Sequence, residues 1–208
     1  MTGNPLADLP AGAFARQDEG DDLDFYAPPR LVIHIDDAAV AALTARYRDL
    51  LPAGGRVLDL MSSWVSHLPA DRAYAEVVGH GMNARELAAN PRLDRWFVQD
   101  LNREPHLPLD DRAFDAALCC VGIQYLQRPV EVLAEVRRTL RPDALFVASF
   151  SNRCFPSKAV AIWRALDAAG HAALIELYLA RAGFRSSTSQ TLTDGRRSDP
   201  LTIVIGHA

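Results

Sequence analysis

Apolar residues recur at spacings of three and four over Val40, Leu43, Tyr47 and Leu50, the period of a helix with one buried stripe. Asp36 and Asp37 stand just before this pattern, where a helix start favours an acceptor side chain and negative charge. Pro52 and Gly54-Gly55 end it. Beyond Gly55 the pattern changes to short apolar stretches at 56–60, 75–79, 96–99, 114–121 and 145–150. Their near-continuous hydrophobicity predicts strands buried on both faces. Helical stripes fall between most of them, a short one at 85–89 and a stronger one at 130–140 followed by Pro142; the short crossover after Leu60 is expected to hold a helix at 63–68, stopped by Pro69. Two further helices are expected at 158–170 and 171–182, with Gly183 as the cap of the second. Two strands at 184–192 and 201–206 close the chain, joined by a polar loop containing Asp194-Gly195 and Asp199-Pro200.

Strand–helix alternation with apolar strands predicts an α/β fold, a three-layer sandwich. Its sheet is expected to have seven strands, mostly parallel, with an antiparallel hairpin at one edge. One domain should span 25–208, with a lid segment and helix at 25–54. Residues 1–24 carry Gly3, Pro5, Pro10, Gly12 and Gly20 and an acidic cluster of Asp18, Glu19, Asp21, Asp22 and Asp24; they are expected to form a mobile arm.

Composition narrows the function. Lys plus Arg is 22 against 26 Asp plus Glu, and the densest basic groups are the pairs Arg137-Arg138 and Arg196-Arg197. Without a basic stripe a nucleic-acid partner is not expected, and a small-molecule substrate is. The longest apolar runs, 116–123 and 144–150, fall well short of the roughly 20 residues of a membrane span. With no leader-like pattern at 1–10, the expectation is a cytoplasmic protein away from the membrane. Cys119, Cys120 and Cys154 form neither a disulfide framework nor a metal-ligand spacing, so no metal is expected. The oligomeric state is left open.

In an open parallel sheet, ligands bind beyond the carboxyl ends of the strands. The segments of interest therefore follow Leu60, Gly79, Gln99, Cys120 and Phe150. Arg56-Val57-Leu58-Asp59-Leu60, Glu76-Val77-Val78-Gly79 and Gln99-Asp100-Leu101 stand there in order. Behind them come the stretch from Leu107-Pro108 to Phe114-Asp115-Ala116, then Gln124-Tyr125-Leu126, then the helix end Val136-Arg137-Arg138-Thr139-Leu140-Arg141-Pro142. This arrangement resembles the class I S-adenosylmethionine-dependent methyltransferases, in particular the small type 11 domains, over most of the chain from about Gly55. The resemblance implies a Rossmann-like methyltransferase fold, S-adenosylmethionine as cofactor, and methyl transfer to a small molecule. It also implies cofactor contacts at the strand ends: Asp59, Met61, Ser62 and Ser63; Gly79, Met82 and Asn83; Asp100 and Leu101; and Cys120.

The front half departs from the family. Its first loop is a glycine-rich D-x-G-x-G-x-G, whereas Met61, Ser63 and Val65 fill the glycine positions here. The family's acidic ribose partner at the end of the second strand is replaced by Gly81. Two readings follow. Either the fold has lost its cofactor and serves as a binding or interaction protein, or the site is rebuilt. In the second case a short helix after the first strand offers its N-terminus to an anionic group, and Asn83 takes the ribose. Asp100 then keeps its family counterpart's role at the adenine amino group. Tyr26 and Arg30, together with Phe25 and His34, suit a lid that positions an acidic or phenolic substrate. Gln124, Tyr125, Asn152, Arg153 and Phe155 complete the expected acceptor wall. His80 and His34 are the candidate bases should the acceptor have to lose a proton; His67 and His106 receive no role.

Overall fold

A computed structural model describes residues 5–208. A short helix α1 (Asp22–Tyr26) precedes α2 (Asp37–Leu50), whose N-cap Asp36 accepts from Ala39 N as the sequence leads one to expect. Then come β1 (Arg56–Leu60), β2 (Glu76–Gly81), α3 (Ala84–Ala89), β3 (Arg95–Val98) and β4 (Phe114–Cys120). A single 3₁₀ turn at Ile123–Tyr125 leads to α4 (Pro129–Thr139), β5 (Leu140–Ser151), α5 (Ala161–Ala165), α6 (Ala168–Arg181), β6 (Ser186–Thr193) and β7 (Leu201–His207).

The seven strands form one sheet in the order β3-β2-β1-β4-β5-β7-β6. The first five are parallel; β7 runs antiparallel to both β5 and β6. Alternate strand residues face opposite layers. Leu58, Leu60, Val78 and Cys119 join the core under α4 and α6 with Leu133, Val136, Ile175 and Leu179. Val57, Val77 and Leu118 pack instead with Leu43 and Tyr47 of α2. The sandwich is thus three-layered, as the periodicity predicts. Among the described residues, no helix is long and apolar enough to cross a membrane.

Three expectations need correction. No helix forms at 63–68: residues 61–75 are loop and turn. Pro69 and the short crossover leave too little chain, and the loop instead bonds to its neighbours. The expected helix at 158–170 is the five-residue α5, and Gly170 lies inside α6, where the Asp167 side chain caps its N–H. Gly183 does end α6, with φ +88°, the left-handed geometry that glycine adopts without penalty.

The third correction concerns the arm. From residue 5 onward it is packed against the domain, with Leu6 and Ala13 buried; the first four residues lie outside the described ones. Ala161 N and Ile162 N donate to Ala15 O and Ala13 O, and Asp18 N to Ser157 O. The acidic cluster that suggested solvation answers buried cations instead. Asp22, 5% exposed, pairs with Arg16 at 2.6 Å and with Lys158 at 3.0 Å. Lys158, the sole lysine, is fully buried and also donates to Gly20 O.

Candidate functional site

A cavity of about 360 Å³ opens beyond the carboxyl ends of the parallel strands, within the usual range for small-molecule sites. Its strand-end wall begins with Asp59, the fourth residue of β1, which is buried. Burial lifts its carboxyl to about 6, opposed by the hydroxyls of Ser62 and Ser66. Met61 follows with φ +55°. The family's first glycine position therefore keeps a left-handed backbone, with a methionine in it.

His80 explains how the loop holds this shape without glycine. Its ring lies inside β2, buried, with Nδ1 accepting from Met61 N at 3.1 Å and Nε2 donating to Gln99 O at 2.9 Å. Its own carbonyl accepts from Ser62 N at 2.6 Å. One imidazole thus ties the ends of β1, β2 and β3, and burial pushes its pKa down to about 4. Both nitrogens are spent, so His80 is a neutral strut and not a base. Gly81 completes the picture, because a Cβ there would come within 2.4 Å of Ser62 O. The rebuilt loop occupies the space that an acidic side chain at this position would need.

Asn83 is committed as well. Its Oδ1 caps α3 by accepting from Arg85 N and Glu86 N, and its Nδ2 donates to Tyr26 O and Ala27 O. It lines the cavity but pins the lid, so the expected ribose role falls. Ser62 Oγ donates to Asp59 and Ser63 Oγ to Glu86, each at 2.6 Å. Gly79 lies outside the cavity, its Cα facing Leu93.

Other expected residues do meet. Met61, Ser62, Ser63, Met82, Asp100, Leu101 and Cys120 all line the cavity. Asp100 is 9% exposed; one oxygen accepts from Asn102 N at 2.9 Å and the other faces Arg103 at 3.4 Å. Burial pushes the Cys120 thiol up to about 12, which keeps it protonated and inert. Val121, beside it, holds φ +50°, a strained value for a β-branched residue.

The opposite wall is aromatic. Tyr26, Arg30, His34, Tyr125, Arg153 and Phe155 line it. Phe155 is the hub, with ring centroids 5.5 Å from Phe25, 5.7 Å from His34, 6.0 Å from Tyr125 and 6.2 Å from Tyr26. Two expected acceptor residues are absent from it. Gln124 is buried below, its amide donating to Val121 O, and Asn152 is exposed outside; strand alternation near Ser151 and the 3₁₀ turn aim them away.

His34 sits at the rim. Desolvation by its neighbours holds its pKa down, opposed by Glu86 and helped by Arg30. His67 was missed by sequence reasoning, because no spacing to a partner residue marks it in the sequence. It lines the cavity with φ +53°, its carbonyl held by Thr44 Oγ1 at 2.9 Å. Glu86 was also missed; it lies in the first turn of α3 and accepts from Ser63 Oγ and Arg30 N. Trp64 props the lid by donating to Val32 O at 2.9 Å. Among the described residues no group of three His, Cys, Asp or Glu side chains is placed to hold a metal ion.

The model of a methyltransferase domain family matches residues 60–148, the segment from the end of β1 to the middle of β5. Over this segment the chain is similar to methyltransferase domains, and its sheet order is that of a Rossmann-like methyltransferase fold. Solved structures agree on the fold. A putative methyltransferase of Haloferax volcanii, in complex with the Trm112 methyltransferase activator, aligns with TM-score 0.63 at 15% identity, covering 83% of this chain and 90% of that one. A Thermotoga maritima methyltransferase described as a possible histamine N-methyltransferase aligns at 0.58 and 17%, covering 82% and 87%. A Haemonchus contortus phosphoethanolamine N-methyltransferase, solved with S-adenosylhomocysteine and phosphomonomethylethanolamine, aligns at 0.55 and 11%, covering 81% and 52%. No curated protein sequence matches the chain.

Proposed function

We propose that the chain binds S-adenosylmethionine in this cavity and methylates a small molecule in the cytoplasm. The observation that carries the reading is the cavity itself: it stays open beyond the strand ends although three bulkier residues replace the glycines, and carboxylates of Asp59 and Asp100 border it. The fit to the cofactor is good at two places. Asp100 with Leu101, Met82 and Cys120 offers a carboxylate and apolar surfaces for the adenine end. Asp59 offers a carboxylate for the positively charged amino-acid end. Neither the expected helix N-terminus nor the family's acid of β2 is there, which leaves Glu86 as the cavity-lining carboxylate nearest in sequence to the missing acid's place.

When bound, the cofactor supplies a methyl group already activated by its sulfonium. The chain's own task is then to align the acceptor and exclude water. The strand-end loops fix one partner through the His80 struts, and the lid with Phe155 closes over the other.

The second reading, a methyltransferase-fold binding protein without cofactor, draws on the spent hydrogen bonds of Met61, Ser62 and Asn83. Titration calorimetry separates the two. Heat on addition of S-adenosylmethionine or S-adenosylhomocysteine, with affinity weakened in Asp100→Ala and kept in Asp110→Ala, supports the enzyme. No heat at millimolar ligand supports the binding protein.

A further inference from the structure

The cavity is electrically two-ended. Asp59 and Asp100 lie along its strand-end side, Glu86 of α3 reaches across to the lid backbone, and the lid brings Arg30. Of the two arginines that line it, Arg153 is already paired with Asp199 at 2.9 Å. Arg30 has no carboxylate partner for its guanidinium among the described residues. Its Nη2 donates to Phe25 O at 2.9 Å and its Nη1 reaches Pro28 O at 3.5 Å, which leaves N–H donors unspent. The guanidinium carbon lies 4.7 Å from the Phe25 ring centre, 5.2 Å from Phe155 and 5.6 Å from Tyr26.

Arg30 is also fixed in place. Its backbone N–H donates to Glu86 at 2.6 Å, and Asn83 holds the two carbonyls of Tyr26 and Ala27 just before it. The nearby Asp22 is neutralised by Arg16 and Lys158. A half-buried guanidinium without a carboxylate partner, carried on a pinned backbone, repels a second cation and rewards an anion, which its planar fork can grip with two parallel hydrogen bonds. The rings around it are faces and edges suited to a flat partner.

We propose that the acceptor of this site is a planar aromatic acid, its carboxylate held by Arg30 and its ring laid against Phe155. The inference rests on the methyltransferase reading only for the word acceptor; the anion site stands or falls by itself. His34, edge-on to Phe155, and His67, on the rebuilt loop, are imidazoles that line the same cavity.

The test is a series of three probes of one size and three charges: 4-hydroxybenzoate, 4-hydroxybenzamide and 4-hydroxybenzylamine. Binding is measured by calorimetry and by saturation-transfer NMR on the full chain, with and without S-adenosylhomocysteine. The acid is expected to bind at least about tenfold more tightly than the amide, with the amine weakest. Arg30→Gln should abolish the preference for the acid, and Phe155→Leu should weaken acid and amide alike. Equal binding of acid and amide, tighter binding of the amine, or no binding of any probe at millimolar concentration overturns the proposal. The comparison among probes is made on the unaltered protein, so a poorly folded Arg30 variant does not blur it. If S-adenosylhomocysteine fails to bind while 4-hydroxybenzoate does, the methyl-transfer reading fails and the anion site remains.

Discussion

The two walls of the cavity are held by buried polar hubs of opposite kinds. On the strand-end wall the hub is His80, a neutral ring that joins the ends of β1, β2 and β3 by hydrogen bonds. On the lid wall it is an ionic cluster of Arg16, Asp22 and Lys158 that fastens the N-terminal segment to the loop after β5. A neutral hub is sensitive to protonation; a charged hub is sensitive to loss of a partner. The difference is testable because each wall can be weakened alone.

The largest effect is expected from Lys158→Ala, which leaves buried Asp22 with Arg16 as its one remaining cation beside the Asn102 amide. Breaking such a pair costs about 3–5 kcal/mol, readable as a fall in denaturation midpoint, and protease cleavage within 5–24 should rise. An equal effect on amide exchange around Met61 would erase the distinction between the walls. Next is Gly81→Asp, which restores the family's acid on paper. Here it places a Cβ against Ser62 O, and a loss of about 1–3 kcal/mol without tighter S-adenosylhomocysteine binding is expected. Tighter binding would show that the loop gives way easily.

A third prediction uses pH. His80 and His67 are each held to about 4 by burial, from an ordinary value of 6.5. The folded state therefore binds fewer protons than the unfolded one, and their stabilisation, complete above about 6.5, is lost as pH falls toward 4. Asp59, raised to about 6 from 3.8, works the other way: it favours the folded state as pH falls through 6 toward 4. Two imidazoles against one carboxyl leave a net loss on acidification. His80→Gln should shrink the drop in melting temperature between pH 7 and pH 5; an unchanged drop would mean that the ring is not the sensitive group.

Asp100→Ala should weaken S-adenosylhomocysteine binding by about tenfold, with Asp110→Ala unchanged. Equal effects would misplace the adenine end. Smallest is Ser63→Gly, which removes the hydroxyl bonded to Glu86 and is expected to cost about 1 kcal/mol or less in stability.

The sheet was legible because buried parallel strands are written as continuous apolar runs, and the hairpin because Asp194-Gly195 and Asp199-Pro200 mark its loop. The placing of Asp59, Asp100 and Leu101 at the cavity was legible for the same reason: they sit at fixed offsets from those runs. What could not be read was where polar side chains spend their hydrogen bonds. His80 reads as a base and Asn83 as a ribose partner until the structure shows Met61 N, Gln99 O and the lid carbonyls around them. The arm was misread for a related reason. Acidic residues next to glycine and proline suggest solvation, and nothing local announces that a lysine far along the chain is waiting for them.

That distance has a consequence for how the molecule assembles. Lys158 and Gly20, in direct contact, are separated by 138 positions, so their contact closes a long loop of chain. Contacts this remote are slow to form, and until they do, a lone ammonium group must stay hydrated at the surface of an otherwise finished core. The early part of the chain thus behaves as a latch, shutting only on a body that is already built.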